Sequence, residues 1–218
     1  MSARLFYGAV MVRTVLIFEA LTLFGAGPLL VLMLKERLLF VLLLWLGALV
    51  AWRLTRGQCP PALGPDDMRR EVRAIILRFA TVTLVLGVAT WALLPDLFLS
   101  FPRERPWLWL AVMVGYPLLS VWPQEMLYRR FALLRYRPLV GSGAGFVVAS
   151  GLAFGYAHII FLNPIAVALS TAGGLLFAAN FVRHRSLMLV WLEHTLYGCL
   201  IFTVGLGRFF FTGAAWHP

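Results

Sequence analysis

The chain has 218 residues, 61% of them hydrophobic, and carries a formal net charge of +10. A soluble domain is usually about 45–50% apolar, and apolar runs here follow one another from end to end, which excludes a water-soluble protein. Runs such as LLFVLLLWLGALVAWRL do not alternate between apolar and polar residues, which excludes a transmembrane β-barrel. The composition therefore predicts an all-α, polytopic membrane helix bundle, with residues 1–218 forming a single integral membrane domain.

Seven apolar runs have roughly the 20-residue length that crosses a bilayer. In chain order they lie at 14–34, 38–54, 75–95, 107–127, 143–161, 164–182 and 187–207. Residues 1–13 could add a short interfacial helix before the first run. The sequence thus predicts about seven or eight transmembrane helices.

The basic residues, all but one of them Arg, cluster between the apolar runs. The loops after the first, third and fifth runs hold only Lys35, Arg37, Arg103 and Arg105, whereas the other loops are rich in Arg. Cytoplasmic loops carry an excess of basic residues. We therefore expect an integral plasma (inner) membrane protein with a cytoplasmic N-terminus. Its expected partner is the lipid bilayer rather than nucleic acid; its oligomeric state cannot be read from the sequence.

The long loop after the second run contains the sequence GPDDMRREVRAIILRF. Asp66 or Asp67 is predicted to cap the start of a basic, amphipathic helix. We expect this helix to lie on the inner leaflet before the third run enters the bilayer.

Several polar side chains fall inside the apolar runs, where ionisable groups cost roughly 2.5–3.5 kcal/mol on insertion scales. Each is therefore a candidate functional residue. They are Glu19 in the first run, Glu125 and Arg129 at the end of the fourth, His158 ending the fifth, Asn180 late in the sixth, and Glu193 and His194 in the seventh.

Each of these residues also has a purely structural interpretation. Glu125 and Arg129 are four residues apart on one helix face, so they could form a buried ion pair that only fixes the helix. A lone histidine in a span is often a hydrogen-bond donor between helices. Together, one acid and two histidines on three runs could activate a water molecule or bind zinc. Neither HExxH nor GxSxG occurs, so we predict no cofactor, with zinc as the alternative.

The stretches QEMLYR, FGYAH and EHTLYG, in this order over about 120–207, resemble the CAAX protease and bacteriocin-processing (CPBP, or Abi) family of intramembrane proteases. This family includes the type II CAAX prenyl endopeptidases, and its pattern is EExxxR, then FxxxH, then HxxxN or a similar residue in place of the Asn. The resemblance implies a protease-like core in which a glutamate activates water with a histidine partner, while a second histidine and the Asn hold the oxyanion. Such proteins are often labelled metalloproteases. The matching residues are Glu125, Arg129, Phe154, His158 and His194.

Two positions depart from the family pattern. Gln124 replaces the first Glu, and an amide cannot take a proton from water at neutral pH. Gly198 replaces the Asn, so a backbone N–H or Asn180 would have to supply that donor. We predict Glu125, His158 and His194 as catalytic residues. The supporting residues are predicted to be Gln124, Arg129, Phe154 and Asn180.

The predicted function is hydrolysis of a peptide bond in a membrane-anchored protein or peptide. One alternative is a catalytically inactive relative that binds such peptides, as an immunity protein or chaperone does. A small transporter that uses the same polar groups as an ion relay is a weaker alternative, because no inverted repeat or broken span is visible.

Overall fold

The computed structural model describes residues 3–58 and 63–211, and the regular secondary structure in these ranges is helical. The helices of the N-terminal half are α1 (Ala3–Ala20), α2 (Gly27–Leu34), α3 (Arg37–Thr55), α4 (Pro65–Leu93) and α5 (Ser100–Glu104). A π-helical segment, Leu21–Ala26, joins α1 and α2 into one continuous helix.

The C-terminal half begins with a helical run over 106–140 that includes two π-helical segments. This run consists of α6 (Pro106–Tyr116), a π segment (Pro117–Val121), α7 (Trp122–Glu125), a second π segment (Met126–Phe131) and α8 (Ala132–Val140). Then follow α9 (Ala144–Ala157) with a 3₁₀ turn (His158–Phe161), α10 (Pro164–His184), α11 (Leu187–Val204) and a final 3₁₀ turn (Leu206–Phe210).

Six helical stretches of the described residues are long and apolar enough to cross a membrane. They are Met11–Leu34, Leu38–Thr55, Pro65–Leu93, Ala144–Phe161, Pro164–His184 and Leu187–Val204. This confirms a polytopic helical membrane protein, but with six candidate spans rather than about seven or eight. The predicted span 107–127 is helical but is not among them.

Helix α4 differs from its prediction. Its N-cap is Gly64, in an extended conformation, so the expected cap at Asp66 or Asp67 is wrong. Both aspartates lie in the first turn, where negative charge is favourable. The helix is unbroken over 29 residues, about 43 Å at 1.5 Å per residue, and so exceeds a hydrocarbon core of about 30 Å. The basic segment is thus an extension of the span and not a separate helix on the leaflet.

The N-terminal segment also forms no helix of its own, because α1 begins at Ala3 and continues into the first candidate span. The expected short interfacial helix over residues 1–13 is therefore not separate from that span. Residues 1 and 2 lie outside the described residues.

Helices α9 and α10 pack at very short range through small residues. A Cβ atom added to Gly155 would lie 1.8 Å from Oγ1 of Thr171, and one added to Gly174 would lie 2.9 Å from the carbonyl oxygen of Gly151. Small residues let two helix backbones approach in this way. The tight pair fixes the end of α9, where His158 lies, against α10.

Candidate active site

Two of the four prolines in the 106–140 run, Pro117 and Pro123, shape the helical segment that carries the site. Pro123 has no N–H, so the carbonyl of Leu119 loses its usual helical partner. The indole Nε1 of Trp45, on α3, donates to that carbonyl at 3.0 Å. The indole of Trp191, on α11, donates to the carbonyl of Pro117 at 2.9 Å. Two neighbouring helices thus stabilise an irregular stretch, and π segments of this kind often occur at functional sites.

Glu125 and Arg129 form a buried ion pair. Both side chains are 0% exposed, and Oε2 of Glu125 lies 3.2 Å from Nε of Arg129. The guanidinium also donates from Nη1 to Oγ of Ser150 at 2.7 Å and lies 4.9 Å from the ring centroid of Phe154. A buried charge is tolerated only when it is paired in this way. Part of the role of Glu125 is therefore structural.

His194 connects this ion pair to a cavity. Its Nδ1 lies 2.7 Å from Oε1 of Glu125, and its Nε2 lies 3.0 Å from the hydroxyl of Tyr116. A carboxylate only accepts hydrogen bonds, so Nδ1 carries a proton. In the neutral imidazole, Nε2 then accepts from the Tyr116 hydroxyl. The His194 ring is stacked on Phe177, with centroids 4.6 Å apart, which fixes its orientation.

His158 has its tautomer fixed by the backbone. Its Nδ1 lies 2.7 Å from the carbonyl oxygen of Phe154. A carbonyl also only accepts, so Nδ1 donates and the neutral ring keeps a lone pair on Nε2. The ring of Phe154 contacts both imidazoles, with centroid distances of 4.7 Å to His158 and 5.5 Å to His194.

A cavity of about 230 Å³ lies between these helices, and most of its lining is apolar. At about 30 Å³ per molecule, it has room for several waters or a short peptide segment. Phe40, Phe161 and Phe210 are among its apolar lining residues. The polar groups on its wall include Tyr116, Ser120, Gln124, His158, Ser170 and His194.

Of the predicted catalytic residues, the two histidines line this cavity and Glu125 does not. Glu125 lies behind His194, while its neighbour Gln124 lines the wall and donates from Nε2 to Oγ of Ser120 at 2.7 Å. Arg129 supports Glu125 from the other side, and Phe154 lies between the two imidazoles. The structure thus gathers these predicted residues around one cavity, and their chemical roles remain predictions.

Asn180 does not join the site. Its Nδ2 donates to Oε2 of Glu193 at 2.5 Å, and Oε1 of that carboxylate accepts from Arg78 at 2.8 Å. Asn180 is not among the residues that line the cavity, and its supporting role, one of the two donors expected in place of the Gly198 side chain, stays a prediction. Glu19 is also elsewhere, since its carboxylate accepts hydrogen bonds from Arg135 and from the hydroxyl of Tyr136.

Residues 105–200 match the family model described as type II CAAX prenyl endopeptidase Rce1-like. The chain carries an Rce1-like CAAX endopeptidase domain. The matched residues contain the Gln124–Glu125 pair, His158 and His194. Neither the search of curated proteins nor the search of solved structures returned a match.

Tyr116 is the residue of this CAAX endopeptidase domain that the sequence did not reveal. It lies eight residues before Gln124 in a run of apolar and aromatic residues, where a tyrosine resembles a packing residue. Only the fold brings its hydroxyl to Nε2 of His194. Gly198 supplies the space, because a Cβ atom there would lie 2.2 Å from Cε1 of Tyr116.

The described residues of the CAAX endopeptidase domain contain no group of three or more His, Cys, Asp or Glu side chains arranged to hold a metal ion. Nδ1 of His194 is hydrogen-bonded to Oε1 of Glu125, an arrangement in which a carboxylate orients an imidazole whether or not that imidazole also binds a metal. The proposal below uses no metal ion. The zinc alternative stays an untested prediction.

Proposed function

We propose that the chain is an intramembrane endopeptidase that hydrolyses a peptide bond in a membrane-anchored protein or peptide. The observation that carries this proposal is the chain of contacts from Glu125 through His194 to the cavity wall, within a CAAX endopeptidase domain. A carboxylate on Nδ1 orients an imidazole and stabilises its protonated form, as in hydrolases that use an acid–histidine pair.

In the proposed reaction, Nε2 of His194 is the general base. The oxygen of a cavity water attacks the carbonyl carbon of the peptide, and the water proton passes to Nε2. The same proton then passes to the leaving amine as the carbon–nitrogen bond breaks. Nε2 of His158 accepts a hydrogen bond from the attacking water and orients it. A positioned base of this kind contributes about 10²–10⁴-fold in rate.

Glu125 therefore acts through His194, because its carboxylate does not line the cavity. Gln124 is on the wall and can only donate or accept hydrogen bonds. We further propose that the 106–140 run crosses the bilayer as a seventh span, which puts this chemistry inside the membrane. The proposed location is the plasma membrane, with the N-terminus and the Arg-rich loops in the cytoplasm.

A second candidate is favoured by one specific observation. The cavity wall carries the amide of Gln124, while the carboxylate of Glu125 is engaged by both Arg129 and His194. If His194 cannot act as a base in this setting, the protein binds the anchored peptide without cutting it. Such a protein would serve as an immunity protein or chaperone.

The test is incubation of the purified, reconstituted protein with a detergent-solubilised membrane proteome, with and without a chelator. New peptide termini are read by mass spectrometry. We expect new termini with the wild type and their loss, by about 10²–10⁴-fold in rate, in His158→Ala and His194→Ala. The control is His184→Ala, since His184 contacts Glu71 at 3.2 Å away from the cavity.

Each possible result has a separate meaning. If no new termini appear, and if peptides that bind to the wild type do not bind to His194→Ala, the result would favour the inactive binding protein. Loss of cleavage on chelation, restored by zinc, would instead favour the zinc alternative. Equal cleavage by the wild type and both cavity variants would contradict the proposed site.

A further inference from the structure

The hydroxyl of Tyr116 has an unusual position for a tyrosine in an apolar helix. It lies on the wall of the cavity and 3.0 Å from Nε2 of His194. Its ring is held edge-on by Phe202, with centroids 5.3 Å apart. The only group that the hydroxyl contacts through a hydrogen bond, among the described residues, is therefore the proposed general base.

The space for this ring comes from Gly198, one turn after His194 on α11. A Cβ atom at this position would lie 2.2 Å from Cε1 and 2.4 Å from the hydroxyl oxygen of Tyr116. Real Cβ atoms do not approach other atoms so closely, and the phenol ring is rigid. The hydroxyl can reach His194 only because residue 198 has no side chain.

We propose that Tyr116 is a catalytic residue of the hydrolysis, the donor that stabilises the oxyanion; this inference rests on the proposed function. In the resting site the phenol hydrogen points to Nε2 of His194. When a peptide enters, rotation about the C–O bond turns that hydrogen to the scissile carbonyl oxygen without movement of heavy atoms. The same rotation frees the lone pair of Nε2 to take the proton of the attacking water.

This assignment provides an oxyanion donor on the cavity wall and explains why the base is hydrogen-bonded before a peptide enters. Water attack moves negative charge to the carbonyl oxygen, so a donor must lie on the wall near the base. Gly198 contributes no side-chain donor, and Asn180 is engaged with Glu193. Without a peptide, Nε2 of His194 accepts the hydrogen bond of the Tyr116 phenol and is not free to deprotonate water. When a peptide carbonyl accepts the phenol hydrogen instead, Nε2 becomes free.

The experiment compares Tyr116→Phe with the wild type on a fluorogenic peptide, resynthesised from the fastest-cleaved substrate of the proteome assay. Phenylalanine keeps the ring and its contact with Gly198 and removes only the hydroxyl. We expect kcat to fall by about 10²–10³-fold, with KM changed much less. The matched control is Tyr136→Phe, which also loses a hydroxyl bonded within the protein, to Glu19 and away from the cavity.

A second measurement separates chemistry from folding. Fluorinated tyrosines introduced at position 116 alter the acidity of the phenol with little change of shape, so kcat should rise with donor strength while thermal unfolding stays constant. A kcat for Tyr116→Phe within threefold of wild type, or no dependence on fluorination, would overturn the role of Tyr116 and leave the proposed function intact. A folded wild type that cleaves nothing would overturn both.

Discussion

The buried pair of Glu125 and Arg129 leads to a prediction about stability as well as activity. Glu125→Gln keeps the shape of the side chain and removes its charge, which leaves the guanidinium of Arg129 buried without a counterion. Removing one member of a buried pair typically costs about 3–5 kcal/mol. The bond to Ser150 and the face of Phe154 still stabilise the guanidinium, and a cation over an aromatic ring contributes about 0.5–2 kcal/mol.

We therefore expect Glu125→Gln to lower the free energy of unfolding by about 3 kcal/mol, at the lower end of that range. The double variant with Arg129→Met removes both charges and keeps an elongated apolar chain in their place. Replacing a whole buried pair is often neutral or stabilising, so the double variant should recover to within about 1 kcal/mol of the wild type. The assay is SDS-induced unfolding in mixed micelles, followed by tryptophan fluorescence.

The reverse single change should cost less. In Arg129→Met the carboxylate of Glu125 keeps the hydrogen bond from Nδ1 of His194, and this charge-assisted bond continues to stabilise the buried negative charge.

The reasoning would be refuted if Glu125→Gln cost less than about 1 kcal/mol, or if the double variant were no more stable than this single one. Activity gives an independent result for the same set. A folded double variant that still cleaves would show that Glu125 is only structural, whereas a folded, inactive double variant beside an active Arg129→Met would support its action through His194.

Three further predictions concern other parts of the molecule. Gln124→Glu restores a carboxylate on the cavity wall, and we expect cleavage to be unchanged or faster; a loss of activity would indicate that two adjacent acids raise each other's proton affinity. Cysteines introduced near Arg69 and Arg183 should not react with an impermeant reagent in intact cells, and ready labelling would reverse the proposed orientation. Gly155→Val should lower the free energy of unfolding by at least about 2 kcal/mol, since overpacking costs about 1–3 kcal/mol and the valine Cβ would overlap Thr171. A stability like that of the wild type would contradict the close α9–α10 contact.

Much of the fold follows from the sequence, because length and hydropathy alone determine which runs can cross a bilayer. The polar residues that the site gathers were also recognisable, since a charged or imidazole side chain inside an apolar run is costly enough to need a reason. The contact between His194 and Glu125 joins side chains 69 positions apart. No spacing predicts such a contact, although the family resemblance put both residues in one site.

The details that the sequence did not provide depend on helix register. Neighbouring residues of a helix point about 100° apart, so which of Gln124 and Glu125 lines the cavity is decided by the local winding. Here the π segments at Pro117–Val121 and Met126–Phe131 change that winding on both sides of the pair. For Asn180, the acceptor Glu193 comes from a neighbouring helix, and which acceptor an amide meets depends on how the helices pack.

The contact between Gly198 and Tyr116 has a consequence for how this protein can vary over evolution. Any side chain at position 198 collides with the phenol ring, so the two positions form an epistatic pair in which the order of substitution matters. A lineage that gains a side chain at 198 must first, or at the same time, reduce the ring at 116. We therefore expect an alignment of relatives to show covariation, with an aromatic residue at 116 accompanied by glycine at 198 and a bulkier residue at 198 accompanied by a smaller one at 116.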